Sequence, residues 1–263
     1  MELCEDKINA DISNIDIMVK TFSIYTTRFV DFAVPFILLG LVGGVVSAIT
    51  FSNLPVNISV LDYSLVGIRE LFIDVVKILL VTIFLASVDW VIYTVLLAMA
   101  VKITSDILDK REVNQLKILN EITEILPSIL GASLLSSVLI IVGFIALIIP
   151  GIYVAVIFNL VIPVVVIERR NTLASLSRSK DLINLRLMKT LGLILLLFLI
   201  IVPMTLIVNG VFRLVLPFPF STIIATLAAL ILLPIYGIAI TISYYSMIER
   251  ERLAQNINVN NVL

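Results

Sequence analysis

The chain of 263 residues contains no histidine and a single cysteine, Cys4. Without histidine there is no Ser-His-Asp or Cys-His catalysis, no histidine-paired metalloprotease helix and no Cys/His zinc site, and one cysteine cannot close an internal disulfide. Charge is scarce too. Only 14% of the residues are Asp, Glu, Lys or Arg, and 18 basic against 19 acidic side chains leave a net charge of -1, so no global field draws in nucleic acid. Gly-rich phosphate loops and paired intramembrane aspartates are also missing, so the residues nominate neither an enzyme nor a cofactor. What is present is hydrocarbon. With 60% hydrophobic residues and a mean hydropathy of +1.17, the composition does not fit a water-soluble domain and predicts an all-α integral membrane protein.

The few charges divide the chain into apolar stretches whose lengths can be measured. Residues 125–167 carry no charge, and at about 1.5 Å per helical residue they would reach roughly twice the thickness of a hydrocarbon core, so the chain must reverse within them. Pro150-Gly151 is the expected reversal, Pro disfavouring helix before it and Gly opening positive φ. Pro217-Phe218-Pro219 separates two later stretches in the same way. Six spans result, over residues 29–51, 77–101, 128–149, 151–167, 190–216 and 220–247. Lone Pro35, Pro163, Pro203 and Pro234 within spans are read as kinks, because neighbouring helices in lipid can re-satisfy freed carbonyls.

Three segments outside the spans have a helical apolar stripe opposite a polar face, at residues 8–27, 111–126 and 172–188. The stripes are Ile8, Ile12, Ile15, Val19 and Phe22; Leu116, Leu119, Ile122 and Leu126; and Leu173, Leu176, Ile183 and Leu187. The chain thus forms a single membrane domain of three hairpins, each preceded by an amphipathic helix. An even number of spans puts 15 of the 18 basic residues on one side, which predicts a multi-pass protein of the cytoplasmic membrane with both termini cytoplasmic. Asn57-Ile58-Ser59, between the first two spans, is a glycosylation sequon on the opposite side.

Polar residues inside spans are the candidate sites. Asp89 lies at the centre of the second span, where an ionised carboxylate is most costly, and Asn159 lies at the centre of the fourth. Matching depth predicts an interhelical pair, either protonated glue or the nucleus of a small transporter or permease site. Arg178, Arg186 and Lys189, opposite the third apolar stripe, are expected to face lipid headgroups, anionic ones in particular, or a protein partner. Gly40 and Gly44 form a small-residue face suited to close helix approach, within this bundle or in a homo-oligomer. The partners expected are therefore the bilayer and another protein or a second copy, and no nucleic acid.

Residues 148–182, IIPGIYVAVIFNLVIPVVVIERRNTLASLSRSKDL, resemble the signature of the glycerophosphoryl diester phosphodiesterase membrane-domain family. The resemblance rests on Pro150, Gly151, Ile152 and Tyr153 at a turn, Pro163 and Glu168 in the span that follows, and Arg178, Ser179 and Leu182 on a helix after it. The stretches 21–39 and 244–252 are similar to the family's ends. Ile157 and Asn184 depart from its pattern, where relatives carry a basic residue and a glycine. The family takes its name from fusion to a soluble phosphodiesterase domain that uses histidines and metal-binding carboxylates, and that domain is absent here. The resemblance implies a six-helix membrane fold and no enzyme. The function expected is that of a non-catalytic membrane protein organising lipids or partner proteins through its amphipathic helices, with the transporter as the alternative.

Overall fold

A computed structural model describes residues 10–52, 65–184, 186–217 and 220–260, so the Asn57 sequon lies outside the described residues. These residues form ten α-helices and no strand: α1 (Asn14–Thr27), α2 (Phe29–Ser52), α3 (Leu65–Leu108), α4 (Gln115–Glu124), α5 (Leu126–Ala146), α6 (Ile148–Ile157), α7 (Val161–Glu168), α8 (Thr172–Asn184), α9 (Leu187–Val215) and α10 (Phe220–Asn260). Six segments are long and apolar enough to cross a membrane: α2, α3, α5, α6 joined to α7, α9 and α10. The chain is an all-α membrane protein.

Local chemistry sets the ends of the short helices. Ser13 and Asp16 form a reciprocal capping box at the start of α1, the Asn114 side chain accepts the Lys117 N–H at the start of α4, and the Asn171 side chain accepts the Ala174 N–H at 3.0 Å at the start of α8. The long helices run further than the charges suggested. α3 has 44 residues and α10 has 41, about 66 and 61 Å at 1.5 Å per residue, against a hydrocarbon core of roughly 30 Å. Charges at a span's edge do not break a helix. α3 therefore continues from the apolar stretch back through Lys77, Asp74 and Arg69.

The reversal between the third and fourth spans falls at Leu147, not at Pro150-Gly151. Leu147 is extended (φ -169°, ψ 155°), and Pro150 sits in the first turn of α6, where its missing N–H costs nothing because no helical partner exists there. Gly151 is not in a positive-φ conformation. Its role is close approach: a Cβ there would lie 2.5 Å from the Phe144 ring and 2.9 Å from the Phe144 Cα, so only Gly lets α6 fold back on α5.

α10 is the central helix, packed against α1, α2, α3 and α9, while α5, α6, α7 and α8 form a second group that meets it through α3 and directly through α7 and α8. Buried side chains concentrate toward the end where α1, α4, α8 and the last turns of α10 meet, including Leu96 to Val101, Val164 to Val166 and Ile238 to Ile242. We call this the charged end. Away from it the helices stand apart: Phe72, Leu79, Leu80 and Ile83 of α3, Ile141, Val142 and Ile145 of α5, and Leu206, Ile207 and Val211 of α9 are all exposed.

Candidate functional site

Glu168 closes α7, and the chain enters α8 through Arg169, a non-glycine residue in the left-handed region (φ 52°, ψ 37°). This turn sends successive side chains in different directions. Glu168 Oε1 accepts from Arg178 Nε at 3.2 Å and from the Tyr244 hydroxyl at 2.9 Å, while Oε2 accepts from Arg170 Nε at 2.5 Å. Arg178 then donates from Nη1 and Nη2 to the two carboxylate oxygens of Glu251 at 2.8 and 2.5 Å. That fork-to-fork geometry is the strongest form of the pair, and it ties α7, α8 and α10 together. Hydrogen bonds to Glu251, and to Glu168 after it, hold the Arg178 guanidinium charged well above its ordinary range against the opposing effect of burial.

Arg169 reaches the other way, to Glu121 of α4 at 3.1 Å and Glu124 at 3.7 Å. Glu121 is also 3.2 Å from Lys102 Nζ, which pairs with Asp106 of α3 at 3.1 Å. Burial pushes the Glu121 carboxyl up, but the hydrogen bonds and charges of Lys102 and Arg169 outweigh it and hold the group below its ordinary value. A third arm joins the N-terminal segment. Arg186 Nη2 donates to Asp11 at 2.6 Å, Lys189 Nζ lies 3.8 Å from the same carboxylate, and Asn14 Nδ2 donates to the Lys189 carbonyl at 3.0 Å. The hydrogen bond and charge of Arg186, then the charge of Lys189, hold Asp11 below the usual carboxylate range.

Arg178, Arg186 and Lys189 therefore do not project toward phosphates as expected. Arg178 and Lys189 are largely enclosed, the Arg186 side chain is 7% exposed, and all three face carboxylates of this chain. Their local excess of positive charge is cancelled by Asp11 and Glu251, acids far away in sequence. The basic residues left exposed and without an ion pair to a described residue are Arg69, away from the charged end, and Lys110, Lys117, Lys180 and Arg250.

Ser179 has a different task. α6 gives way to a 3-10 turn at Phe158–Leu160, just ahead of Pro163 in the first turn of α7, and the Val161 N–H bonds to Phe158 in place of Ile157. The Ile157 carbonyl loses its α-helical partner Val161, and the fully buried Ser179 hydroxyl donates to it at 2.6 Å. A parallel case is Tyr25, whose hydroxyl donates at 2.7 Å to the Ile231 carbonyl, three residues before Pro234. Tyr153, by contrast, is 45% exposed and contributes to none of these contacts.

Asp89 and Asn159 are not brought together as a pair. Asn159 Oδ1 accepts from the Tyr236 hydroxyl of α10 at 2.6 Å, and its buried Nδ2 has no partner. Asp89 lies on an exposed stretch of α3 beside α2: a Cβ on Gly43 would sit 3.8 Å from its Oδ1, and the carboxylate has no hydrogen bond to a described residue. Depth alone matched the two residues, but depth does not set which helices are neighbours. Gly40 does provide close approach, its absent Cβ standing 2.7 Å from Leu230 Cδ1 of α10. Among the described residues no three Cys, Asp or Glu groups gather to hold a metal ion.

Comparison of the chain with protein-family models, with curated proteins and with solved structures finds no match.

Proposed function

We propose that this is a non-catalytic protein of the cytoplasmic membrane, with both termini cytoplasmic, that organises lipids or partner proteins through three amphipathic helices, α1, α4 and α8. One observation carries the reading. Each helix has two apolar faces, one buried in the protein and one left open: Ile17, Met18 and Ile24 are buried while Ile15, Val19 and Phe22 are exposed; Ile118 and Ile122 are buried while Leu116 and Leu119 are exposed; Leu176 and Ile183 are buried while Leu173 is 71% exposed. Helices that use one face for the fold and keep another apolar face at the charged end are suited to lie at the headgroup boundary or against a partner. Ion pairs fix them there, so the surface is preformed. Lys110, Lys117, Lys180 and Arg250 are exposed where they can meet anionic headgroups.

The test is to replace Ile15, Val19 and Phe22 together with Ser, then compare lipids and proteins co-purified from native membranes with those of the wild type. Because these side chains are exposed, the bundle should keep its melting temperature, while the associated lipids or partners should be depleted. An unchanged set of associated molecules would refute the proposal. The transporter reading loses its main support, since Asn159 is bonded to Tyr236 and not to Asp89.

A further inference from the structure

A cavity of about 410 Å³ lies between α3, α9 and α10, well inside the apolar part of the bundle. Its size falls within the range of small-molecule sites, roughly 300–1,000 Å³. It follows α9 from Ile194 to Thr205, about 16 Å at 1.5 Å per residue, so the space is elongated along the helix, as a hydrocarbon chain is. Phe198 both lines it and is 63% exposed, which means that the cavity opens sideways past this ring, toward the surrounding lipid, and not toward either aqueous face.

The polar groups on its wall are few and differ in what they have left to offer. The Thr205 hydroxyl donates to the Ile201 carbonyl, and the Tyr236 hydroxyl donates to Asn159 at 2.6 Å. Tyr93 is 43% exposed, lines the cavity, and has no hydrogen bond to a described residue. A phenol placed in hydrocarbon without a partner is costly, and an oxygen acceptor on a ligand would satisfy it. An apolar void also forfeits the dispersion contacts of its lining, which a hydrocarbon chain restores and water does not.

We infer that this cavity is a binding site for a single long hydrocarbon chain bearing an oxygen acceptor, a fatty acid or an acyl chain entering from the bilayer, with the oxygen at the Tyr93 hydroxyl. The site is separate from the helix surfaces of the proposed function and stands or falls independently of them.

The experiment reconstitutes the full chain in phosphatidylcholine vesicles with one of two photo-probes, palmitic acid or a phosphatidylcholine, each carrying a diazirine in mid-chain. Adducts are mapped by mass spectrometry. The expected result is saturable labelling concentrated on the α9 segment 194–205 and on its facing residues of α3 and α10, reduced at least about fivefold by Ile201→Trp or Val202→Phe, which fill the space. Two filling variants are used so that failure of one to fold leaves the other. Labelling by palmitate that also falls several-fold in Tyr93→Phe identifies a free fatty acid held by its oxygen; labelling by the phospholipid with the same dependence identifies a bilayer lipid. Labelling spread evenly over the lipid-facing helices, or undiminished in both folded filling variants, overturns the site. Equal labelling of wild type and Tyr93→Phe by both probes overturns the assignment of the hydroxyl and with it the proposal as stated.

Discussion

Asn159 is a polar side chain within a span whose partner comes from α10, and Ser179, on α8, finds its partner in the Ile157 carbonyl where α6 gives way to α7. Removing the Ser179 hydroxyl takes a buried hydrogen bond from the Ile157 carbonyl, so Ser179→Ala should cost about 0.5–1.5 kcal/mol, read as a lowered denaturant midpoint in detergent. Tyr236→Phe should cost about 0.6–2 kcal/mol, because the Asn159 amide, already short of one partner, then has none. Asp89→Leu should leave stability unchanged or raise it, since no group depends on Asp89; a loss as large as that of Tyr236→Phe would mean that its carboxylate has a partner in the membrane after all. These distinctions were only partly legible in the sequence. The cost of an intramembrane acid or amide is evident from composition and position, and so the residues were noticed. Their partners depend on helix rotation and adjacency, which no count of residues along the chain supplies. The same is true of Arg178, Arg186 and Lys189, whose balancing acids, Asp11 and Glu251, lie near opposite ends of the sequence.

At the scale of helices, the number of spans was readable because charges punctuate hydrocarbon stretches, but their ends were not, because a helix stops where its backbone is interrupted. Leu147 is the interruption between α5 and α6, and no side-chain property marks it. Gly151 is required by the steric room it leaves against Phe144 and not by a positive φ. Gly151→Ala should therefore open the α5–α6 hairpin and cost about 1–3 kcal/mol through overpacking. Gly210→Ala in α9, where a Cβ meets nothing within 4 Å, should instead be neutral or stabilise the helix by up to about 1 kcal/mol. A comparable gain in both would show that helix propensity, not packing, governs these sites. The attachment of α4 has a pH dependence of defined sign. Glu121 has its pKa lowered in the folded protein from an ordinary value of 4.5, so the folded state binds this proton less readily than the unfolded chain. Its stabilising effect is complete above that value and drains away as pH falls from about 4.5 through the lowered folded-state pKa. Melting temperature should decline over this acid range, with Asp11 contributing in the same direction. Glu121→Gln should melt lower at neutral pH and show a shallower acid decline; an acid limb parallel to that of the wild type would show that Lys102 and Arg169 do not hold α4 through this carboxylate.

Across the whole molecule, burial and charge are distributed together: the bundle is tight where ion pairs link α1, α4, α7, α8 and α10, and open where long helices carry only hydrocarbon. In lipid there is no hydrophobic drive to bring apolar helices together, so close packing has to come from small residues and polar contacts; here the ion pairs gather toward one end, while Gly143 and Gly151 close the α5–α6 hairpin at the other. The same distribution bears on orientation. An even number of spans puts fifteen of the eighteen basic residues of the sequence on one side, an asymmetry that supports the proposal that the charged end is cytoplasmic. Ion pairing does not remove the argument, because the positive-inside bias acts on short loops during insertion and counts Lys and Arg, while Asp and Glu contribute little to it. A suitable reporter must be accessible as well as correctly placed. Ser179 is fully buried and bonded to Ile157, whereas Ser177, two residues earlier on α8, is exposed. With Cys4 replaced by Ser, the variant Ser177→Cys should resist a membrane-impermeant maleimide in intact cells and react once the membrane is permeabilised. Ser59→Cys, between the first two spans, should react in intact cells. Reaction of Ser177→Cys in intact cells together with protection of Ser59→Cys would invert the orientation, and with it the side of the membrane on which α1, α4 and α8 could meet a partner.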